Sequence, residues 1–142
     1  LGGAIRQIVT ISDQFMQALP SNQRSAIEQR VNGLASTIGA RTGIAPNPKL
    51  LAIISNAPLE AVQLIRSFGE VGNLSETEQR TAISAFLQAG LTDEERYEKV
   101  KQLAEFVILR LNRTGRAFLL EDEEVKSLIE GLGIDLSQPL GQ

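Results

Sequence analysis

Apolar residues recur at steps of three and four positions along most of this chain, which is the spacing of amphipathic helices. The first such segment covers residues 4–19 and ends at Pro20. The second is expected to end in the region of Gly39 and Gly43, because glycine often terminates a helix. Its apolar stripe has a regular 4-3-4 spacing and consists of Ile27, Val31, Leu34 and Ile38.

Two short helices are predicted next, because proline is favoured in the first turn of a helix and asparagine before it is a good cap. Asn47 and Pro48 mark the start of the first, which is apolar on nearly all sides and is expected to be buried. Asn56 and Pro58 mark the start of the second. That helix is expected to end before Gly69.

Two capping boxes indicate the starts of the next helices. In this motif a Ser or Thr hydroxyl accepts a hydrogen bond from the third helical amide, and a Glu side chain accepts one from the amide of the cap. The motif occurs at residues 75–78 and again at residues 92–95. It predicts helices over residues 76–89 and 93–113.

The helix predicted over residues 93–113 has the clearest periodicity. Phe106 and Leu109 point away from its main apolar arc, so its C-terminal half is apolar on two faces and is expected to be central to the bundle. The main arc, at 100° per residue, consists of Tyr97, Val100, Leu103, Ala104, Val107, Ile108 and Leu111.

The remaining pattern completes an all-α prediction: a compact bundle of six to seven helices in a single domain over residues 1–136. A last short helix is expected over residues 121–130, the run at residues 116–120 is ambiguous, and residues 137–142 are expected to fray. The chain begins at Leu1 instead of Met. We therefore expect it to be a processed product or a piece of a longer chain.

Composition and charge exclude several classes of function. The net charge of −3 and pI near 5.1 oppose general binding to nucleic acid or anionic membrane, because that affinity requires many cations. No apolar run reaches the about 20 residues of an integral membrane span. Arg6 and Asp13 interrupt a would-be signal peptide. A cytoplasmic location is predicted, although a cysteine-free chain is tolerated in other compartments as well.

The inventory for catalysis and metal binding is short. With no His and no Cys, the chain lacks the commonest general base, the thiol nucleophile and the usual transition-metal ligands. The acidic run at residues 121–124 lacks the spacing of a calcium loop and suits the first turn of a helix. Tyr97 lies on the main apolar arc and is expected to be a core residue. No enzymatic activity, cofactor or metal site is therefore predicted.

Arg110, Arg113 and Arg116 form the most distinctive polar cluster. They could complete the C-terminus of the long helix, with residues 121–124 folding back to pair with them. Alternatively, they could accept carboxylates, because each guanidinium presents a planar fork that matches such groups. In that case Phe106 and Leu109 would supply an adjacent apolar contact, and these five residues form the candidate binding site.

These observations favour a non-enzymatic helical protein-interaction module, such as an assembly, adaptor or regulatory domain, whose partner is another protein or a second copy. The alternative is a carrier of an apolar small molecule, such as a lipid, pigment or isoprenoid, held between aliphatic helices. Membrane association through residues 4–19 is less favoured, since Arg6 is the only cation there. A DNA-binding helix-turn-helix is opposed by the three acidic residues that begin its second helix.

Overall fold

The computed structural model describes the backbone of residues 2–136 and the side chains of residue 6 and residues 9–136. This part of the chain forms seven α-helices and one short 3₁₀ helix. No strand occurs within that part, and the all-α bundle is confirmed. The predicted frayed tail, residues 137–142, lies outside the described residues. The helices are α1 Gly2–Ala18, α2 Ser21–Thr42, α3 Pro48–Asn56, α4 Pro58–Val71, α5 Glu76–Phe86, α6 Asp93–Arg113, the 3₁₀ helix Ala117–Glu121 and α7 Glu123–Glu130.

The core is aliphatic and surrounds α3. This helix is covered by α1, α2, α4 and α6, which all pack against it. Its burial on nearly all sides follows from an almost uninterrupted apolar sequence, because a helix that is apolar all round needs neighbours on every side. The prediction that α3 is buried is confirmed by the low exposure, 4% or less, of Leu50, Leu51, Ala52, Ile53 and Ile54.

The long helix α6 lies against four other elements: α3, α4, α5 and the 3₁₀ helix. Every residue of its predicted main arc is buried, with at most 7% exposure. Its second apolar face is not part of the core, since Phe106 is 37% exposed and Leu109 is only half-buried. One face of α6 therefore serves the fold, and the other lies at the surface.

Both predicted capping boxes are present. The Ser75 hydroxyl accepts from the Glu78 amide at 3.1 Å, and the Thr92 hydroxyl accepts from the Glu95 amide at 3.1 Å. The predicted cap at Asn47 is also confirmed. These local signals set the starts of α3, α5 and α6.

The predicted cap at Asn56 is wrong. Asn56 is the last residue of α3, and its side-chain amide donates to the carbonyl oxygen of Ala52 at 3.2 Å. Ala57 takes the cap position of α4 without a side-chain hydrogen bond. Proline at the first position of α4 therefore begins that helix with no help from the preceding side chain.

Helix α2 ends in the predicted region: Gly39 lies inside it, and Gly43 follows its last residue in the left-handed conformation with φ 77°. Two other predicted helix ends are displaced. Helix α4 continues through Gly69, where a Cβ atom would lie 2.8 Å from the side chain of Gln79, so this glycine permits close packing of α5 and does not end the helix. Helix α5 ends at Phe86, earlier than predicted.

Candidate functional site

The outer face of α6 carries four of the five residues that the sequence identified. Phe106, Leu109, Arg110 and Arg113 are separated by steps of three and four positions, so they are neighbours on the helix surface. Phe106 and Arg113 are exposed, whereas Leu109 and Arg110 are half-buried. We call these four residues the α6 ridge.

Arg116, the fifth residue, lies just beyond the ridge. It takes the cap position of the 3₁₀ helix, and its backbone amide donates to the carbonyl oxygen of Leu111 at 2.8 Å. The side chain is half-buried. Its placement is therefore set by the turn that follows α6, and it adjoins the ridge without belonging to the helix.

Arg110 is held by two neighbours. Its Nη2 atom donates to Glu78 Oε2 of α5 at 2.5 Å, and its guanidinium carbon lies 5.2 Å from the centroid of the Phe106 ring. The other carboxylate oxygen of Glu78 accepts from the Ser75 amide at 2.9 Å. One carboxylate thus connects the capping box of α5 to the ridge of α6.

The electrostatics of this contact favour charged groups on both sides. The hydrogen bond from the Ser75 backbone, followed by the hydrogen bond from Arg110, holds the pKa of Glu78 below its ordinary value. Glu78 is therefore ionised at neutral pH and neutralises Arg110. The contact is about one-third exposed on each side, so solvent screens it and it orients Arg110 more than it stabilises the fold.

The predicted pairing of the arginines with residues 121–124 is not found in the described part of the chain. Arg110 pairs with Glu78 instead, and Asp122 accepts hydrogen bonds from the amides of Glu124 and Val125 as the cap of α7. The acidic run therefore serves the start of α7, as the helix-dipole interpretation predicts.

Arg113 differs from Arg110 in having no carboxylate partner among the described residues. Among the described residues it forms no ion pair, and its side chain is exposed in the last turn of α6. A cation there interacts favourably with the partial negative charge of the helix end. Because no described carboxylate pairs with it, its guanidinium fork can donate to an external carboxylate, two turns from the exposed ring of Phe106.

Glu78 and Phe118 are two residues that the sequence did not identify. Glu78 was recognisable only as part of a capping box, because its contact with Arg110 joins residues 32 positions apart. Phe118 lies in the ambiguous run that forms the 3₁₀ helix, and it is 66% exposed. Only the tertiary packing reveals the contact of Glu78 with Arg110 and the exposure of Phe118.

Tyr97 is a core residue, as predicted, and is fully buried. Its hydroxyl donates to the carbonyl oxygen of Leu132 at 2.5 Å. Burial, the largest effect, raises the pKa of Tyr97 far above its ordinary value, so the phenol stays protonated. Tyr97 therefore stays neutral, and its hydroxyl serves as a buried hydrogen-bond donor.

One of the clefts in the described part of the chain has both apolar and charged walls. It has a volume of about 710 Å³ and lies between α1, α3 and α7, with Arg6, Asp13, Lys49, Glu123 and Glu124 in its walls. Lys49 and Asp13 pair with each other across it. Charged walls of both signs suit a hydrated surface better than an apolar ligand.

The described part of the chain has neither a metal cluster nor a membrane-spanning helix. Within it, no three acidic side chains are grouped so that they could hold a metal ion. None of its helices is long and apolar enough to cross a membrane.

Comparison with known proteins assigns no role to any residue: no protein-family model matches the chain, and no curated protein or solved structure is detectably similar to it.

Proposed function

We propose that this chain is a non-enzymatic helical module that binds a protein partner through the α6 ridge. One observation carries the proposal. Phe106 is 37% exposed on the helix that otherwise supplies the core, and Arg113, exposed two turns further along the same face, has no carboxylate partner among the described residues. Exposed aromatic and arginine side chains on one helix face are a combination that protein interfaces favour.

The ridge is organised before any partner arrives. Glu78 and the ring of Phe106 fix the guanidinium of Arg110, so little side-chain entropy remains to be lost there on binding. The guanidinium of Arg110 also covers one face of the ring. Binding then orders mainly Arg113, which supplies the direct contact with the partner.

The chemistry of the ridge indicates what the partner presents. An apolar side chain would pack on Phe106 and Leu109, and a carboxylate next to it would accept from the fork of Arg113. A folded protein or an amphipathic helix can offer both groups at that spacing. Nucleic acid is not favoured, because the net charge of the chain is −3 and Arg110 is already neutralised.

The alternative of a carrier for an apolar small molecule receives less support. The 710 Å³ cleft has charged residues in its walls, and the aliphatic residues of α3 are packed against neighbouring helices on nearly all sides. A lipid or pigment would need an apolar space between helices.

The proposal is tested by comparing what copurifies with the wild-type chain and with Phe106→Ser and Arg113→Gln. A partner identified by mass spectrometry is then purified, and its affinity for each form is measured by calorimetry. We expect each change to weaken binding by about tenfold or more, because both residues lie where hot spots form.

Leu59→Ser is the matched control, because Leu59 is 79% exposed on α4 and is not part of the ridge. It is expected to bind like the wild type. A partner set and affinities that are the same for all four forms would contradict the proposed use of the α6 ridge.

A further inference from the structure

A second exposed surface begins where the α6 ridge ends. It consists of Arg113, Arg116, Phe118 and Glu121, and we call it the 113–121 strip. Phe118 is 66% exposed, Arg113 and Glu121 are exposed, and Arg116 is half-buried. Along the chain the strip passes from two bases through an aromatic ring to an acid.

The 3₁₀ helix explains why Phe118 faces outward. With three residues per turn, positions three apart lie directly above one another, so Phe118 and Glu121 share one face. Leu119 and Leu120 lie on other faces and pack against the core, and the helix contacts both α6 and α7. Phe118 is therefore held at the surface by the packing of its neighbours on two sides.

The charges of the strip are not satisfied within the described part of the chain. No ion pair there involves Arg113, Arg116 or Glu121. The internal pairing that the sequence suggested is not formed, since Asp122 caps α7 and Arg110 uses Glu78. In the sequence, opposite charges thus flank an exposed aromatic ring, and at least one charge on each side, Arg113 and Glu121, is exposed.

We propose that a second copy of the chain binds this strip about a two-fold axis that passes near Phe118. Rotation by 180° reverses the order of base, ring and acid, so the arginines of one copy meet Glu121 of the other, and the two Phe118 rings meet near the axis. Such self-complementarity is what a two-fold contact requires. The proposal goes beyond the α6 ridge, which shares Arg113 with the strip but lacks Phe118.

The strip is short, so the dimer is weak. Four residues form the strip, so we expect a small interface, for which dissociation constants on the order of 10 to 100 μM are reasonable. The charge pairs lie at the rim and are screened by salt. Dimerisation should therefore weaken several-fold between about 0.05 M and about 0.5 M salt, without disappearing, because the Phe118 contact is apolar.

Sedimentation velocity of the purified chain, from about 5 to about 500 μM, measures the dimer directly. Phe118→Ser is expected to raise the dissociation constant by about tenfold or more. Leu59→Ser removes an exposed apolar side chain elsewhere and is expected to leave dimerisation unchanged. Phe106→Ser, which removes the ring of the ridge, is also expected to leave it unchanged.

A charge exchange tests the two-fold arrangement. Arg113→Glu replaces one of the two bases by an acid, and Glu121→Arg places bases at both ends of the strip, so each variant alone is expected to dimerise less than the wild type. An equimolar mixture restores opposite charges across the axis and is expected to form the heterodimer. Both residues are exposed, so neither change disturbs the core.

A wild-type chain that stays monomeric over the whole range would overturn the dimer. So would a dimer that Phe118→Ser does not weaken, or a mixture of the charge variants that associates no better than each variant alone. These results test the roles of Phe118 and Glu121. The proposed function is contradicted by a different result, in which Phe106→Ser and Arg113→Gln keep every partner with unchanged affinity. The two proposals can therefore fail separately.

Discussion

The hydroxyl of Tyr97, in the first half of α6, donates a hydrogen bond to the carbonyl oxygen of Leu132, 2.5 Å away and 35 positions later in the chain. Both residues are completely buried. The bond joins the long helix to the segment after α7, so it fixes where the C-terminal part of the described chain returns to the core.

Tyr97→Phe is expected to lower the free energy of unfolding by roughly 1 to 2 kcal/mol. The ring still packs, but the buried carbonyl of Leu132 loses its donor and keeps its desolvation cost. Urea unfolding followed by circular dichroism measures the change. Thr81→Val is the control, since its hydroxyl bonds to a carbonyl one turn earlier on an exposed surface. Equal stability of Tyr97→Phe and the wild type would contradict the role assigned to this bond.

Gly133→Ala is expected to destabilise the fold more than Gly115→Ala. Both glycines have positive φ, 80° and 74°, so both changes incur the left-handed penalty of roughly 1 to 2 kcal/mol. Only at Gly133 would the new Cβ also lie 2.8 Å from the side chain of Ile38 and 3.1 Å from the Tyr97 hydroxyl. The difference in stability between the two variants, measured by thermal unfolding, gives the contribution of the steric clash at Gly133. Equal losses of stability would show that Ile38 and Tyr97 can move aside without destabilising the fold.

Features encoded by neighbouring residues could be predicted from the sequence. Ser75 and Glu78 lie three positions apart and satisfy each other, so the start of α5 was recognisable. The ridge was recognisable for a similar reason, because Phe106 and Arg113 are two turns apart on one helix. Local spacing decides which residues share a face of the helix, whereas the exposure of that face is known only from the fold.

Features that depend on how two helices meet could not be predicted. Gly69 resembles a helix end in the sequence, and only the position of Gln79 shows that it is a point of close packing. The partner of Arg110 is likewise decided by the alignment of α5 against α6, which no short-range pattern records. Phe118 could be placed at the surface only once its 3₁₀ helix was seen against α6 and α7.

Acid is expected to weaken the fold through both capping boxes. Backbone hydrogen bonds, from Ser75 to Glu78 and from Thr92 to Glu95, are the largest of the effects that lower the pKa of these two carboxylates. A carboxylate whose pKa is lower in the folded state stabilises the fold above its unfolded pKa of about 4.3, and this contribution is lost as the pH falls through the folded pKa.

The double variant Glu78→Gln with Glu95→Gln tests this dependence. Glutamine can still accept from the cap amide, so the helices are expected to form at pH 7. Its stability should then decrease less steeply than that of the wild type below about pH 4.5. Urea unfolding at a series of pH values gives the two slopes, and identical slopes would show that these carboxylates do not contribute to acid sensitivity.

Arg96→Met is expected to cost roughly 1 to 2 kcal/mol. Arg96 donates to the carbonyl oxygens of Ser55 and Leu91, each at 3.1 Å, and so connects α3 to the start of α6. Methionine keeps the apolar stem but leaves the Ser55 carbonyl without this donor. Arg80→Met is the control, because its pair with Glu76 is highly exposed and is expected to contribute little. Equal effects of the two changes would argue against the proposed connection.

Phe106→Ser should separate folding from binding. The ring is 37% exposed, and its stacking with Arg110 contributes only about 0.5 to 1 kcal/mol, so we expect a loss of stability near 1 kcal/mol. Phe68→Ala removes a ring that is 1% exposed and should cost roughly 3 to 5 kcal/mol. If Phe106→Ser were as damaging as Phe68→Ala in urea unfolding, Phe106 would serve the core, and its loss could not report on partner binding. A small loss of stability together with a large loss of partner affinity would assign Phe106 to recognition.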